Sequence, residues 1–164
     1  MTFRITGANY ENHSLGTKFG WVGYGVDPNK TQNQSTFMIM GTGRPGAKLT
    51  AMRIQYRQQG HTGEQNWLQN LDRRPVVRVG EWQQLEAVFR LNDIGQSNGT
   101  LDVWVNGIQV MHHTTMTFRT RAAPNGFTLW YFNPTYGGGA NQVRDRQDEV
   151  EIDEVYLSGL PLEG

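Results

Sequence analysis

The 164-residue sequence has no cysteine, which excludes a disulfide framework and a thiolate metal site and leaves the redox compartment open. It also lacks an excess of charge of either sign, since 15 Lys and Arg balance 15 Asp and Glu. That balance removes the electrostatic footprint of a general phosphate-backbone binder, so nucleic acid is not an expected partner. Long apolar runs are missing as well. Stretches such as Gly126 to Phe132 fall far short of the roughly 20 residues that span a bilayer, and Met1 is followed by Thr-Phe-Arg instead of an apolar signal core. No membrane partner and no signal peptide in the chain are therefore expected. Because export signals are removed from mature proteins, an extracellular or virion-surface location remains the expectation.

What is abundant points in one direction. Twenty Gly, with five Trp, six Tyr and seven Phe, sit among many Asn, Gln and Thr. This mixture suits short strands joined by tight turns, with neutral hydrogen-bonding surfaces. Period-two alternation recurs and helical periodicity does not. Between Trp82 and Leu91, the residues Leu85, Ala87, Phe89 and Leu91 share one face, while Gln84, Glu86 and Arg90 share the other. Leu101 to Val105 and Ile108 to Val110 flank Asn106-Gly107, a strong local hairpin signal because both turn residues take positive φ. Further strands are expected at Phe3 to Thr6, Lys18 to Tyr24, Phe37 to Met40, Leu49 to Arg57, Met116 to Arg119, Phe127 to Phe132 and Val150 to Ser158. Arg144 to Glu151 is charged and reads as a loop. No composition shift marks a second domain, so residues 1–164 are read as one all-β domain.

Several segments occur in a recognisable order: Gly16-Thr17-Lys18-Phe19, Gly80-Glu81-Trp82-Gln83-Gln84-Leu85-Glu86, Asn98-Gly99-Thr100-Leu101-Asp102-Val103-Trp104-Val105-Asn106-Gly107 and Thr117-Phe118-Arg119-Thr120. An aromatic strand with a Gly-rich loop follows from Gly126 to Gly139, and then a closing strand, Glu151-Ile152-Asp153-Glu154-Val155-Tyr156-Leu157-Ser158. This order resembles the concanavalin A-like jelly-roll domains of the alginate and glucuronan polysaccharide lyases and their lectin-like relatives. The resemblance implies an antiparallel two-sheet sandwich over roughly residues 15 to 159. Against that pattern, one or two N-terminal strands are missing.

The strand from Leu49 to Arg57 carries the polar positions of interest. Ala51, Arg53, Gln55 and Arg57 share one face, and Met52, Ile54 and Tyr56 share the other. On a concave sheet the first set suits sugar hydroxyls or a uronate carboxylate, with Arg offering a bidentate fork. Similar lyases carry an Arg on the equivalent strand with a small hydroxyl residue two positions earlier; here those positions hold Arg53 and Ala51. β-Elimination from a uronate requires carboxylate neutralisation, a base for the C5 proton and an acid for the leaving oxygen, and Arg53, His61, Tyr131 and Tyr136 are the candidates.

For ligand binding the candidates are Arg53, Gln55, Arg57, Trp104, Trp130 and Tyr136, because aromatic planes stack on the apolar faces of sugar rings. His112 and His113, adjacent on a strand, fall on opposite faces and cannot share one metal. The resemblance implies a structural Ca²⁺ near Asp153, with Asp148 and Glu151 beside it. The expected function is carbohydrate binding by a lectin-like module with a polysaccharide or glycan partner. Uronate lyase activity and a structural role in a virion or surface assembly, as a homo-oligomer or larger array, are the alternatives.

Overall fold

The computed structural model describes residues 1–6, 17–25, 34–40, 49–56, 66–69, 76–122, 124–132, 135–136 and 149–159. These residues form β1 (Thr2–Thr6), β2 (Thr17–Gly25), β3 (Gln34–Met40), β4 (Leu49–Tyr56), β5 (Asn66–Gln69), β6 (Val77–Arg78), β7 (Gln83–Arg90), β8 (Gly99–Val105), β9 (Ile108–Met116), β10 (Asn125–Tyr131), β11 (Thr135–Tyr136) and β12 (Glu149–Asp153). A five-stranded sheet runs in the order β12-β1-β7-β8-β9. A seven-stranded sheet runs β10-β2-β3-β4-β5, with β11 pairing to β2 and β6 to β4. Every pairing is antiparallel. The architecture is the antiparallel two-sheet sandwich of a jelly roll.

Alternation dictates which face each strand buries. In β8, Leu101, Val103 and Val105 are buried while Asp102 and Trp104 lie on the reverse. The same pattern buries Phe3 and Ile5 of β1 and Leu85 of β7. From the larger sheet, Val22 and Val77 join this single buried cluster, and Trp130 packs against it. The two sheets therefore pack face to face. Phe89, Phe118 and Phe127 close one end of the interface as three mutually edge-on rings, with centroids 5.6 to 5.9 Å apart. Aromatic contacts of this geometry contribute about 0.5–1.5 kcal/mol each beyond burial.

The Asn106-Gly107 turn forms as expected, with φ of 51° and 76°. It is also tied to β7, because the Gln84 N–H donates to Asn106 Oδ1 (2.9 Å) and the Asn106 N–H donates to the Gln84 carbonyl (3.0 Å). Two expected strands change. β9 runs on through Met116, and Thr117 to Thr120 is not a strand. The buried Asn92 side chain supplies the partners a sheet would have given it: its Oδ1 accepts from the Phe118 and Arg119 N–H groups (2.8 and 3.0 Å), and its amide donates to the Arg119 carbonyl (2.9 Å). The closing strand ends at Asp153, not Ser158, because Glu154 takes a φ of 49°, outside the extended region.

Candidate functional site

Directly paired residues of an antiparallel ladder lie on the same face of the sheet, so the register of the seven-stranded sheet sorts its positions without ambiguity. The core face is marked by Val22, 4% exposed, and Val77, fully buried. Val77 pairs with Thr50, which places Thr50, Met52, Ile54 and Tyr56 on the core face and Leu49, Ala51, Arg53 and Gln55 on the outer face. Arg78, paired with Leu49, is exposed as this assignment requires.

Two rows of the outer face then follow. One runs Tyr131, Trp21, Thr36, Gln55, Trp67 across β10, β2, β3, β4 and β5. The next runs Thr135, Lys18, Met38, Arg53, Gln69. Lys18 joins this face only because the register shifts by one residue between Lys18 and Gly20. Without that bulge, period two would set Lys18 and Trp21 on opposite faces. No strand of the larger sheet contains an Asp or Glu. These two rows thus offer two cations, amide and hydroxyl positions and three aromatic positions, and Arg78 adds a third cation whose Nη1 donates to Glu81 Oε2 at 3.3 Å.

Not every expected site residue belongs to this face. Tyr131 does, together with Arg53 and Gln55. Trp130 precedes Tyr131 by one residue and so falls on the reverse: it pairs with Val22, packs against the core and meets the Phe132 ring edge-on at 5.7 Å. Tyr136 pairs with Thr17, in the row of Ile39 and Met52, which is also the core face. Trp104 lies on the outer face of the five-stranded sheet. Arg57 and His61 lie outside the described residues.

The outer face of the smaller sheet has a different character. Its strands set Glu149, Glu151, Asp153, Glu86 and Asp102 outward, against Arg4 and Arg90. Arg4 is committed locally. Its Nε donates to Glu151 Oε2 and its Nη2 to Oε1 (2.8 Å), while the guanidinium lies 5.1 Å from the centroid of the Trp82 ring. The hydrogen bond from Arg4 holds the Glu151 carboxyl below its usual range, and the same bond raises Arg4. His112 pairs with Asp102 on the outer face and His113 with Leu101 on the core side, so the adjacent histidines do diverge. Asp153 is exposed at the end of β12, its Oδ1 accepting the Glu154 N–H at 2.8 Å. Among the described residues no group of three His, Asp or Glu side chains is placed to hold a cation, and Asp148 lies outside them.

Comparison with known proteins adds a lineage to this geometry. The family profile of polysaccharide lyase 14 matches residues 57–152, more than half of the chain. The chain belongs to the polysaccharide lyase 14 family. The matched stretch takes in β5 to β11 and most of β12, while Arg53 and Gln55 precede it. Within the solved structures, an alginate lyase, Aly36B, determined as a double mutant in complex with an alginate trisaccharide, superposes with a TM-score of 0.59 at 16% identity. The superposition covers 91% of this polysaccharide lyase 14 chain and 64% of the alginate lyase chain, and at that identity it speaks for the fold. No curated protein matches the sequence.

Proposed function

We propose that the chain is a polysaccharide lyase that binds a uronate polymer across the outer face of the seven-stranded sheet and cleaves it by β-elimination. One observation carries the reading: the register gathers Arg53, Lys18, Gln55, Trp21, Tyr131 and Trp67 on a face whose strands contain no carboxylate. A polyanion is attracted to such a face and repelled by the acid-bearing one. Family membership and the fold shared with an alginate lyase support the same substrate class.

The spacing suits a polymer lying across the strands. With neighbouring strands about 4.8 Å apart, Lys18 and Arg53 stand about 10 Å apart and the aromatic row spans about 19 Å. In the proposed reaction Arg53, assisted by Gln55, neutralises the uronate carboxylate and so acidifies the C5 proton. A base removes that proton, and the C4–O bond breaks with proton delivery to the leaving oxygen, leaving an unsaturated uronate. Tyr131 is the titratable hydroxyl that the described residues place on this face.

A second reading, binding without cleavage, is favoured by a specific pair of observations. Ala51 stands where similar lyases have a hydroxyl residue, and Tyr131 lies three strand spacings, about 14 Å, from Gln55. Incubation with alginate and with glucuronan, followed by ultraviolet absorbance of unsaturated uronate and by calorimetry, separates the two. Rising absorbance supports the lyase. Heat of binding without absorbance supports the lectin-like module, and neither signal with any polyuronate overturns both.

A further inference from the structure

We propose that the outer face of the five-stranded sheet holds a second saccharide site, centred on Trp104, that takes an uncharged pyranose. Trp104 is half-buried in a strand whose other face is core, which leaves one side of a rigid aromatic plane available. Its direct cross-strand neighbours are Glu86 and Gln109. The next position on the same face is Asp102, whose Oδ1 accepts from Gln109 Nε2 at 3.0 Å and lies 2.6 Å from His112 Nδ1. The carboxylate is thereby fixed beside the ring, with its side chain 15% exposed against 51% for His112.

A backbone irregularity builds this cluster. The β8–β9 register shifts between Val103 and Trp104, so that Asp102 faces His112. In an unshifted ladder Met111 would oppose Asp102 and His112 would fall on the core face. The shift instead buries Met111 completely and brings an imidazole to the outer surface. The groups left to a ligand are a second Asp102 oxygen, the exposed Glu86 carboxylate and the outer His112 nitrogen, an acceptor-rich set beside an apolar plane. A pyranose supplies the complement: hydroxyl donors at its rim and a C–H face for the indole. Charge selects among saccharides. The strands of this sheet carry five carboxylates and two Arg, one of them already paired with Glu151, so a uronate is repelled here while an uncharged sugar is not.

This site is independent of the polyuronate face, and the experiment keeps the two apart. The full chain is titrated with cellohexaose and with maltohexaose to about 1 mM while the Trp104 indole and Gln109 amide are followed by NMR. Shifts of both signals with at least one hexasaccharide, lost in Trp104→Ala and unaltered in Arg53→Ala, are the expected result. The isosteric Asp102→Asn, checked for an unchanged melting temperature, lowers the affinity about tenfold. No shift with either sugar overturns the proposal, as do shifts that survive Trp104→Ala, full affinity in Asp102→Asn, or equal response to an alginate oligomer.

Discussion

The two outward faces of the sandwich are built by the same alternation yet differ in charge. Over the seven-stranded sheet the strands supply Lys18, Arg53 and Arg78 and no acid, whereas over the five-stranded sheet they supply five carboxylates against Arg4 and Arg90. The chain as a whole is neutral, so its net charge conceals this division. Partner class is therefore decided face by face. A neutral sum therefore says nothing against a polyanion bound on one side.

The strongest way to break the comparison is to remove what holds the faces back to back. Phe118 is fully buried and touches both Phe89 of β7 and Phe127 of β10. Phe118→Ala is expected to cost about 3–5 kcal/mol of stability, read as a lower denaturation midpoint. Both faces lose their ligands together in such a variant, whereas a substitution on one face leaves the other intact.

Charge reversal tests the contrast directly. Arg53→Ala removes a charged hydrogen bond and is expected to weaken polyuronate binding by about 1.5–3 kcal/mol. Arg53→Glu adds a repulsive carboxylate and is expected to exceed a hundredfold loss, about 2.7 kcal/mol. The mirror substitution Glu86→Arg, on the acid-bearing face, leaves polyuronate affinity unchanged by calorimetry. Equal losses from both would show that the polymer is not confined to the basic face.

Salt gives a smaller effect on the unmodified protein. Raising ionic strength from 0.01 M to 0.15 M shortens the screening length from about 30 Å to about 8 Å. Polyuronate affinity is expected to fall several-fold over that range, while affinity for an uncharged hexasaccharide stays level.

How much of this was legible in the sequence depends on whether period two held. Leu101, Val103 and Val105 against Asp102 and Trp104, and Met52 and Ile54 against Arg53 and Gln55, sort by simple alternation, and Asn106-Gly107 announces its own turn. Bulges defeat that rule. The shifts beside Lys18 and beside Val103 rephase single residues, and they bring Lys18 onto one outer face and His112 onto the other. Short strands such as Asn66–Gln69, Val77–Arg78 and Thr135–Tyr136 hold too few residues for a pattern and are fixed by their partners. Tyr136 and Trp130 illustrate a further limit. Both lie close to Tyr131 in sequence, but the register sends them to the core side while Tyr131 stays on the outer face.

The least of the expected effects concerns the acid-bearing face, where the Arg4–Glu151 pair joins β1 to the edge strand β12. The guanidinium of Arg4 holds Glu151 below the ordinary carboxylate range, so the folded state binds this proton less readily than the unfolded chain. The pair's contribution is therefore fully present above the unfolded value, about 4.3, and is lost as the pH falls through the depressed one. Both side chains are about a third exposed, at 34% and 38%, and solvent screening keeps the contribution small. Glu151→Gln is expected to lower the melting temperature slightly at neutral pH and to match the parent protein in strong acid. A difference between the two that persists unchanged to the lowest pH would mean that the carboxylate's charge is not what ties the edge strand to β1. A normal Arg53-dependent polyuronate affinity in the same variant would show that an electrostatic change on one face stays on that face.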